Sequence, residues 1–189
     1  MQPAIFLDRD GTLNFDYGWI TSPSKIELLP GAAEAVRQIN EARYLAVLIT
    51  NQPVIARGEC TIGELDAIHE KLKSLLAKAG AHLDAIYYCP HHPVSGVAGE
   101  RAEYKIGCHC RKPAPGLLET ASDDLKIDVS RSWMIGDSER DLGAAAAFGI
   151  PGVLVSSNQR GFKEAISSKY AFRAVSIKEA VDQILAQRI

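Results

Sequence analysis

"AIFLDRDGTLN", residues 4–14, decides how this chain is read. An apolar run, 4–8, ends on Asp8 and passes through Arg9, Asp10 and Gly11 to Thr12. A short apolar run bounded by turn residues has the character of a buried parallel strand. Two carboxylates at i and i+2 directly after a strand can divide a reaction between them. One attacks as a nucleophile while the other handles a proton. Gly11 permits the sharp turn that brings both to one pocket. A bare Asp-x-Asp more often marks a solvated turn; the strand before it and the Gly-Thr after it sharpen the motif.

Working outward, four further runs share that character. "LAVLIT" (45–50) ends on Thr50, "DAIYYC" (84–89) on Cys89 and "SWMIGD" (132–137) on Asp137, while "GVLVS" (152–156) follows Pro151. Helical patterns lie between and after them, at 32–43, 62–79, 115–126, 138–148 and 177–187. Thr61 with Glu64, and Ser176 with Glu179, have the spacing of capping boxes, and Gly80 is a natural helix stop. Strands alternating with helices predict an α/β fold with a parallel sheet. No repeat, linker or low-complexity segment interrupts the pattern, so residues 1–189 are expected to form one domain. In such sheets ligands sit beyond the carboxyl ends of the strands. Asp8, Asp10, Thr50, Asn51, Asp137 and Asp141 gather there.

Composition narrows the function classes. The chain is 47% hydrophobic and 23% charged, with a net charge of −2. That balance argues against disorder and against a nucleic-acid binder, which carries a clustered basic surface. No apolar run approaches the roughly 18 residues of a membrane span. "MQPAIFLDRD" lacks the basic-then-apolar order of a secretory signal, so a cytoplasmic protein is expected. Disulfides are rare there, and clustered cysteines more often bind metal or do chemistry.

Phosphate chemistry follows from three further groups. The Thr50 hydroxyl and nearby backbone N–H groups suit a phosphate oxygen. Lys112 offers a fixed positive charge to a phosphoryl group, and Arg111 a planar fork for a second oxyanion, although alone the two read equally well as surface cations. Asp137 with Asp8 could hold Mg²⁺, which takes one or two carboxylates plus water and phosphate. Asp141, one helical turn on, is expected to orient neighbours or cap locally.

Together, Asp8-Arg9-Asp10-Gly11-Thr12, Thr50, Lys112 and Gly136-Asp137 resemble, in order, the four motifs of the haloacid-dehalogenase-like superfamily. The resemblance implies a Rossmann-like core and Mg²⁺-dependent phosphotransfer. Asp8 would form an aspartyl-phosphate, and Asp10 would protonate the leaving oxygen and then activate water. Thr50 and Lys112 would hold the phosphoryl oxygens. The metal would be bound by the Asp8 carboxylate, the Asp10 backbone carbonyl and Asp137. An acid at position 10 favours a phosphatase over a dehalogenase. With about twenty residues between Thr12 and the next helix and no large insert after the second strand, a capless member is expected.

"CPHHPVSGVAGERAEYKIGCHCRKP", residues 89–113, holds three of the four cysteines. Cys89 and His91 are spaced i, i+2, as are Cys108 and Cys110, and in extended chain such side chains point the same way. Each pair can present two ligands to one point, making a closed S₃N zinc site of the structural kind, with His92 and His109 pointing away. A Cys108–Cys110 disulfide would close a cramped ring. Cys60 lies outside the pattern, as a free thiol near a helix start. A zinc loop at 89–110 would fix Arg111 and Lys112 over the phosphate site.

"FLDRDGTLN", "TNQ", "CPHHP" and "CHCRKP" also resemble the D-glycero-D-manno-heptose 1,7-bisphosphate phosphatases, over about residues 4–155. That resemblance implies hydrolysis of the 7-phosphate of a small sugar bisphosphate, on the route to nucleotide-activated heptose for lipopolysaccharide or surface glycans, by a monomer without nucleic-acid or membrane partners. It places Asp16-Tyr17-Gly18-Trp19, Thr50-Asn51-Gln52-Pro53 and Arg111-Lys112 around the substrate. Pro53, where a small polar residue is expected, and Ser138, where a Lys can occur, depart from the pattern. Histidinol-phosphate phosphatase shares the core motifs and zinc loop; the sixteen residues from 92 to 107 favour the heptose enzymes, whose loop is longer. A phosphate-binding module with an inactive core would require loss of a catalytic group, and Asp8, Asp10, Lys112 and Asp137 are all present.

Overall fold

The computed structural model describes residues 1–94, 96, 98–156 and 169–187. Six parallel strands form one sheet: β1 (Ala4–Leu7), β2 (Leu45–Asn51), β3 (Ala85–Cys89), β4 (Trp133–Gly136), β5 (Gly152–Val155) and β6 (Phe172–Ala174). Their spatial order is β3-β2-β1-β4-β5-β6. β1 pairs with β2 on one side and β4 on the other, so the strand order reverses between β1 and β4. In doubly wound sheets that reversal opens a crevice at the carboxyl ends. Asp8 and Asp137, each one residue past a strand end, stand on its two lips.

The helices are α1 (Ala32–Glu41), α2 (Ile62–Ala77), α3 (Gly116–Leu125), α4 (Glu139–Phe148) and α5 (Ile177–Ala186). All five expected helices are present, with boundaries displaced by at most two residues. The capping box at α2 is complete. Glu64 N–H donates to Thr61 Oγ1 at 3.1 Å, and Thr61 N–H donates to Glu64 Oε2 at 2.7 Å. Gly80 sits in the left-handed region at φ 72°, past the helix end.

Period-two alternation along β1 divides the core between the two faces of the sheet. Ile5 and Leu7 pack with α1, α2 and α5, and Ala4 and Phe6 with α3 and α4. All four residues are fully buried. At about 1.5–3 kcal/mol for a fully buried large apolar side chain, these contacts hold β1, and with it Asp8 one residue on, in place.

β6 is the element that the sequence reading did not foresee. Its "FRA" segment is three residues long and pairs beside Val153–Val155 at the sheet edge. Three residues with a charge in the middle carry too little apolar pattern to announce a strand. Between β1 and α1 the described chain adds only bridges, Asp10 to Asn14 and Asn14 to Leu28, and a 3₁₀ turn at Pro23–Lys25. Among the described residues no helix is long and apolar enough to cross a membrane.

Candidate active site

A cavity of about 310 Å³ opens at the β1–β4 crevice. Asp8, Asp10, Thr50, Lys112 and Asp137 all line it. Lys112 Nζ donates to Asp8 Oδ1 at 2.7 Å, to Asp141 Oδ1 at 2.5 Å and to the Ile49 carbonyl at 2.7 Å. Lys112 is only 2% exposed, so these three partners replace the water around its ammonium. Burial alone would depress the Lys112 pKa, but the Asp141 and Asp8 carboxylates raise it above its ordinary value. Asp8 is pushed up to about 6, first by burial, with Lys112 opposing and Asp141 and Asp10 adding to the rise.

Asp10 is held differently. Its carboxylate accepts from Arg9 Nε at 3.0 Å and Arg9 Nη2 at 2.8 Å, from Asn14 Nδ2 at 2.9 Å and from Gln52 Nε2 at 3.1 Å. Burial raises its pKa, but the Arg9 charge and these hydrogen bonds outweigh it and hold the carboxyl below the usual range. Gln52 Nε2 also donates to Thr50 Oγ1 at 2.9 Å, so the hydroxyl keeps its own proton for another acceptor. Asn51, the last residue of β2, donates from Nδ2 to the Lys112 carbonyl and accepts the Lys112 N–H at Oδ1.

Asp8, Asp137 and Asp141 could supply a metal with carboxylate oxygens within 4.8 Å of one another. Asp141 has both oxygens committed, Oδ1 to Lys112 and Oδ2 to the Ser138 N–H and hydroxyl at 3.0 and 2.6 Å. That capping box leaves Asp8 and Asp137 as the hard-oxygen donors suited to Mg²⁺. Gly11 explains how Asp137 comes so close. A Cβ at position 11 would lie 2.4 Å from Asp137 Oδ2, and its φ of 82° favours glycine.

The cysteine–histidine cluster lies beside this cavity. Cys89 ends β3, paired with Asn51 in register. Cys89 Sγ lies 3.5 Å from Cys108 Sγ and 3.3 Å from Cys110 Sγ, and His91 Nδ1 lies 3.3 Å from Cys110 Sγ. A tetrahedral ion bonded to sulfur at about 2.3 Å needs ligand atoms roughly 3.8 Å apart, so the four groups fit a zinc ion. Burial raises the Cys89 and Cys110 thiol pKa values; burial also opposes thiolate at Cys108, but hydrogen bonds from Cys110 and Cys89 draw it down. Three crowded sulfurs of this kind gain from a shared dication. His109 turns outward to Glu119 Oε2 at 2.7 Å, and His92 Nδ1 accepts the Val94 N–H at 3.2 Å. The four cysteines are free, with Cys60 buried just before the α2 cap.

Of the substrate residues expected from the sequence, Asp16, Gly18, Trp19, Thr50, Asn51, Gln52, Pro53, Arg111 and Lys112 line the cavity. Tyr17 is not among them. Its hydroxyl donates to Glu27 at 2.8 Å and its ring stacks on Phe15 at 5.6 Å. Adjacent side chains diverge, and the Gly18 turn aims Trp19 inward while leaving Tyr17 59% exposed. Arg57, His92 and Arg140 also line the cavity, and the sequence reading missed them. Arg57 stacks over the Trp19 ring at 4.1 Å. Arg111 Nη1 donates to the His91 carbonyl at 3.0 Å, tying that guanidinium to the base of the cysteine loop.

A Rossmann-like sheet with Asp-x-Asp after β1, Thr50 after β2, a buried Lys112 and Asp137 after β4 defines a haloacid-dehalogenase-like phosphohydrolase fold. A model described as HAD-hydrolase-like matches residues 109–180. The chain belongs, more narrowly, to the D-glycero-D-manno-heptose-1,7-bisphosphate 7-phosphatase family. It is 44% identical over 145 residues to the D-glycero-beta-D-manno-heptose-1,7-bisphosphate 7-phosphatase of Salmonella typhi, covering 77% of this chain and 75% of that one. It is 39% identical over 151 residues to the protein of that name from Rhodopseudomonas palustris, covering 80% and 82%. The crystal structure of D,D-heptose 1,7-bisphosphate phosphatase from B. bronchiseptica, complexed with magnesium and phosphate, aligns with a TM-score of 0.81 at 33% identity, over 98% of this chain and 99% of that one.

Proposed function

We propose that this chain is a phosphomonoester hydrolase that removes the 7-phosphate of D-glycero-beta-D-manno-heptose 1,7-bisphosphate, the substrate in its relatives' names. The product feeds nucleotide-activated heptose for lipopolysaccharide or surface glycans. The enzyme acts as a single-domain monomer in the cytoplasm. One observation carries the reading: Lys112 Nζ stands 2.7 Å from Asp8 at the strand-order reversal, with Arg111, the preceding residue, in the same cavity. A bisphosphate presents one phosphoryl group to Asp8 and Lys112, and its second phosphate suits the Arg57, Arg111 and Arg140 guanidinium groups.

Asp8 attacks phosphorus and the sugar oxygen leaves, taking a proton through Asp10, which is ionised in the free site and receives that proton from a bound phosphate monoanion. Asp10, now a carboxylate, accepts a proton from water as the water oxygen bonds to phosphorus and the Asp8–phosphorus bond breaks. Thr50 and Lys112 hold the phosphoryl oxygens through a hydroxyl and an ammonium donor. Bound by the Asp8 carboxylate, the Asp10 carbonyl and Asp137, Mg²⁺ supplies charge neutralisation to the phosphoryl group. Zn²⁺ held by Cys89, His91, Cys108 and Cys110 supplies a structural anchor for the loop.

The test is phosphate release, in Mg²⁺, from heptose 1,7-bisphosphate against histidinol phosphate. Preference for the heptose ester, abolished in Asp8→Asn, supports the reading. Preference for histidinol phosphate overturns it, and no release from either favours an inactive phosphate-binding module.

A further inference from the structure

Arg9 lies between the two catalytic aspartates in sequence, yet its side chain is fully buried and is the largest such side chain in the core. A permanent cation in that position needs partners on all its faces. Nε and Nη2 take the two oxygens of Asp10, at 3.0 and 2.8 Å. Nη1 turns the other way, to His69 Nε2 at 3.5 Å. His69 comes from α2, is 5% exposed and packs against the Tyr88 ring at 5.8 Å. Arginine is always a donor here, so His69 must present its lone pair at Nε2 and carry its proton on Nδ1.

We infer that Arg9 is a positioning residue for Asp10, and that His69 locks the Arg9 fork from behind. A carboxylate gripped through both oxygens by a planar fork has its plane fixed, and a fork with its third face held by packed imidazole cannot swing. Orientation matters most in the second half of the reaction. Water must meet phosphorus in line while one Asp10 oxygen takes its proton. The inference rests on the reading of Asp10 as the proton-handling group.

The choice of leaving group isolates this step. With p-nitrophenyl phosphate the nitrophenolate leaves without a proton, so formation of the aspartyl-phosphate does not need Asp10 and its hydrolysis does. Rapid-quench measurement on the Mg²⁺-loaded enzyme reads both phases. In Asp10→Asn we expect a nitrophenol burst near one per active site, then slow turnover with trapped phosphoenzyme. Arg9→Met is expected to reproduce that burst, with the slow phase reduced on the order of 10²-fold, as for a lost general base. Arg9→Lys, which keeps the charge but loses the fork, falls between. His69→Leu slows the second phase by roughly tenfold, and His69→Gln, which keeps an acceptor toward Arg9, restores most of it. A linear trace for Asp10→Asn would overturn the reading of Asp10 itself. With that burst present, equal losses in both phases of Arg9→Met, or a wild-type trace, overturn the inference. If Arg9→Met does not fold, indistinguishable slow phases in His69→Leu and His69→Gln overturn it instead.

Discussion

Asn51 closes both halves of its amide on the backbone of Lys112. Nδ2 donates to the Lys112 carbonyl at 3.0 Å, and Oδ1 accepts the Lys112 N–H at 3.1 Å. The end of β2 is thereby joined to the turn before α3, distant in sequence, where the ammonium enters the cavity. Asn51→Asp turns the donor into an acceptor facing a carbonyl, and Asn51→Ala removes both bonds. At about 1 kcal/mol for each hydrogen bond, kcat/KM is expected to fall roughly 10- to 100-fold in either variant, more in Asp than in Ala. Steady-state kinetics on the bisphosphate check this; wild-type values would show that Lys112 is held by its Nζ contacts alone.

Asp141 couples the active site to stability. It neutralises buried Lys112 through Oδ1 and caps α4 through Oδ2. Asp141→Ala leaves the cation short of a partner and opens the first turn of the helix. Breaking a buried pair from one side costs about 3–5 kcal/mol, so the urea midpoint should drop strongly. Asp141→Asn keeps an acceptor for Lys112 and should lose less. Equal midpoints for the two variants would point to the cap, not the ion pair.

The cysteine cluster predicts a metal content. Elemental analysis of the purified protein should find one zinc per chain, absent in Cys110→Ser. Arg111 hangs from the His91 carbonyl, and the Arg101 N–H donates to the Ala56 carbonyl beside Arg57, so the loop carries or touches two of the three cavity arginines. Zinc-free protein should keep its circular dichroism spectrum and lose activity on the bisphosphate. Unchanged kinetics without zinc would remove the loop from substrate binding.

The parts of the site legible in the sequence are those fixed by strand ends. Asp8, Thr50 and Asp137 each follow or end a run whose apolar character sets the direction of the chain, so their meeting place follows from sheet topology alone. Lys112 was legible as a cation in Arg111-Lys112-Pro113 and, more firmly, from its place in the order of the four motifs. Arg57, His92 and Arg140 were not, because they reach the cavity along loop paths or a helix start that no periodicity describes. Arg9 escaped for a different reason. An arginine between two aspartates reads as solvated charge, and only its packing against α2 shows that it is buried. Tyr17 was read as one block with Asp16, Gly18 and Trp19, whereas the turn sets its side chain against Glu27 and Phe15.

His69 makes stability depend on acid. Arg9 and Asp10 face it from the strand-end loop, Glu70 and Lys73 from its own helix and Tyr88 from β3. Burial first, then the Arg9 charge, pushes its pKa down to about 4 from an ordinary 6.5. The folded state therefore stays unprotonated at this site while the unfolded chain takes up a proton below about pH 6.5. Stability from this group is full above that pH and is lost as the pH falls toward 4. At about 1.4 kcal/mol per pKa unit, the loss at pH 4 approaches about 3 kcal/mol. Chemical denaturation of wild type and His69→Gln at pH 7.5, 6, 5 and 4 reads it directly. The difference between the two proteins should shift in favour of the variant by about that amount across the range, with most of the change below pH 6. Parallel curves at every pH would mean that His69 takes up its proton in the folded state and that Arg9 does not hold it neutral.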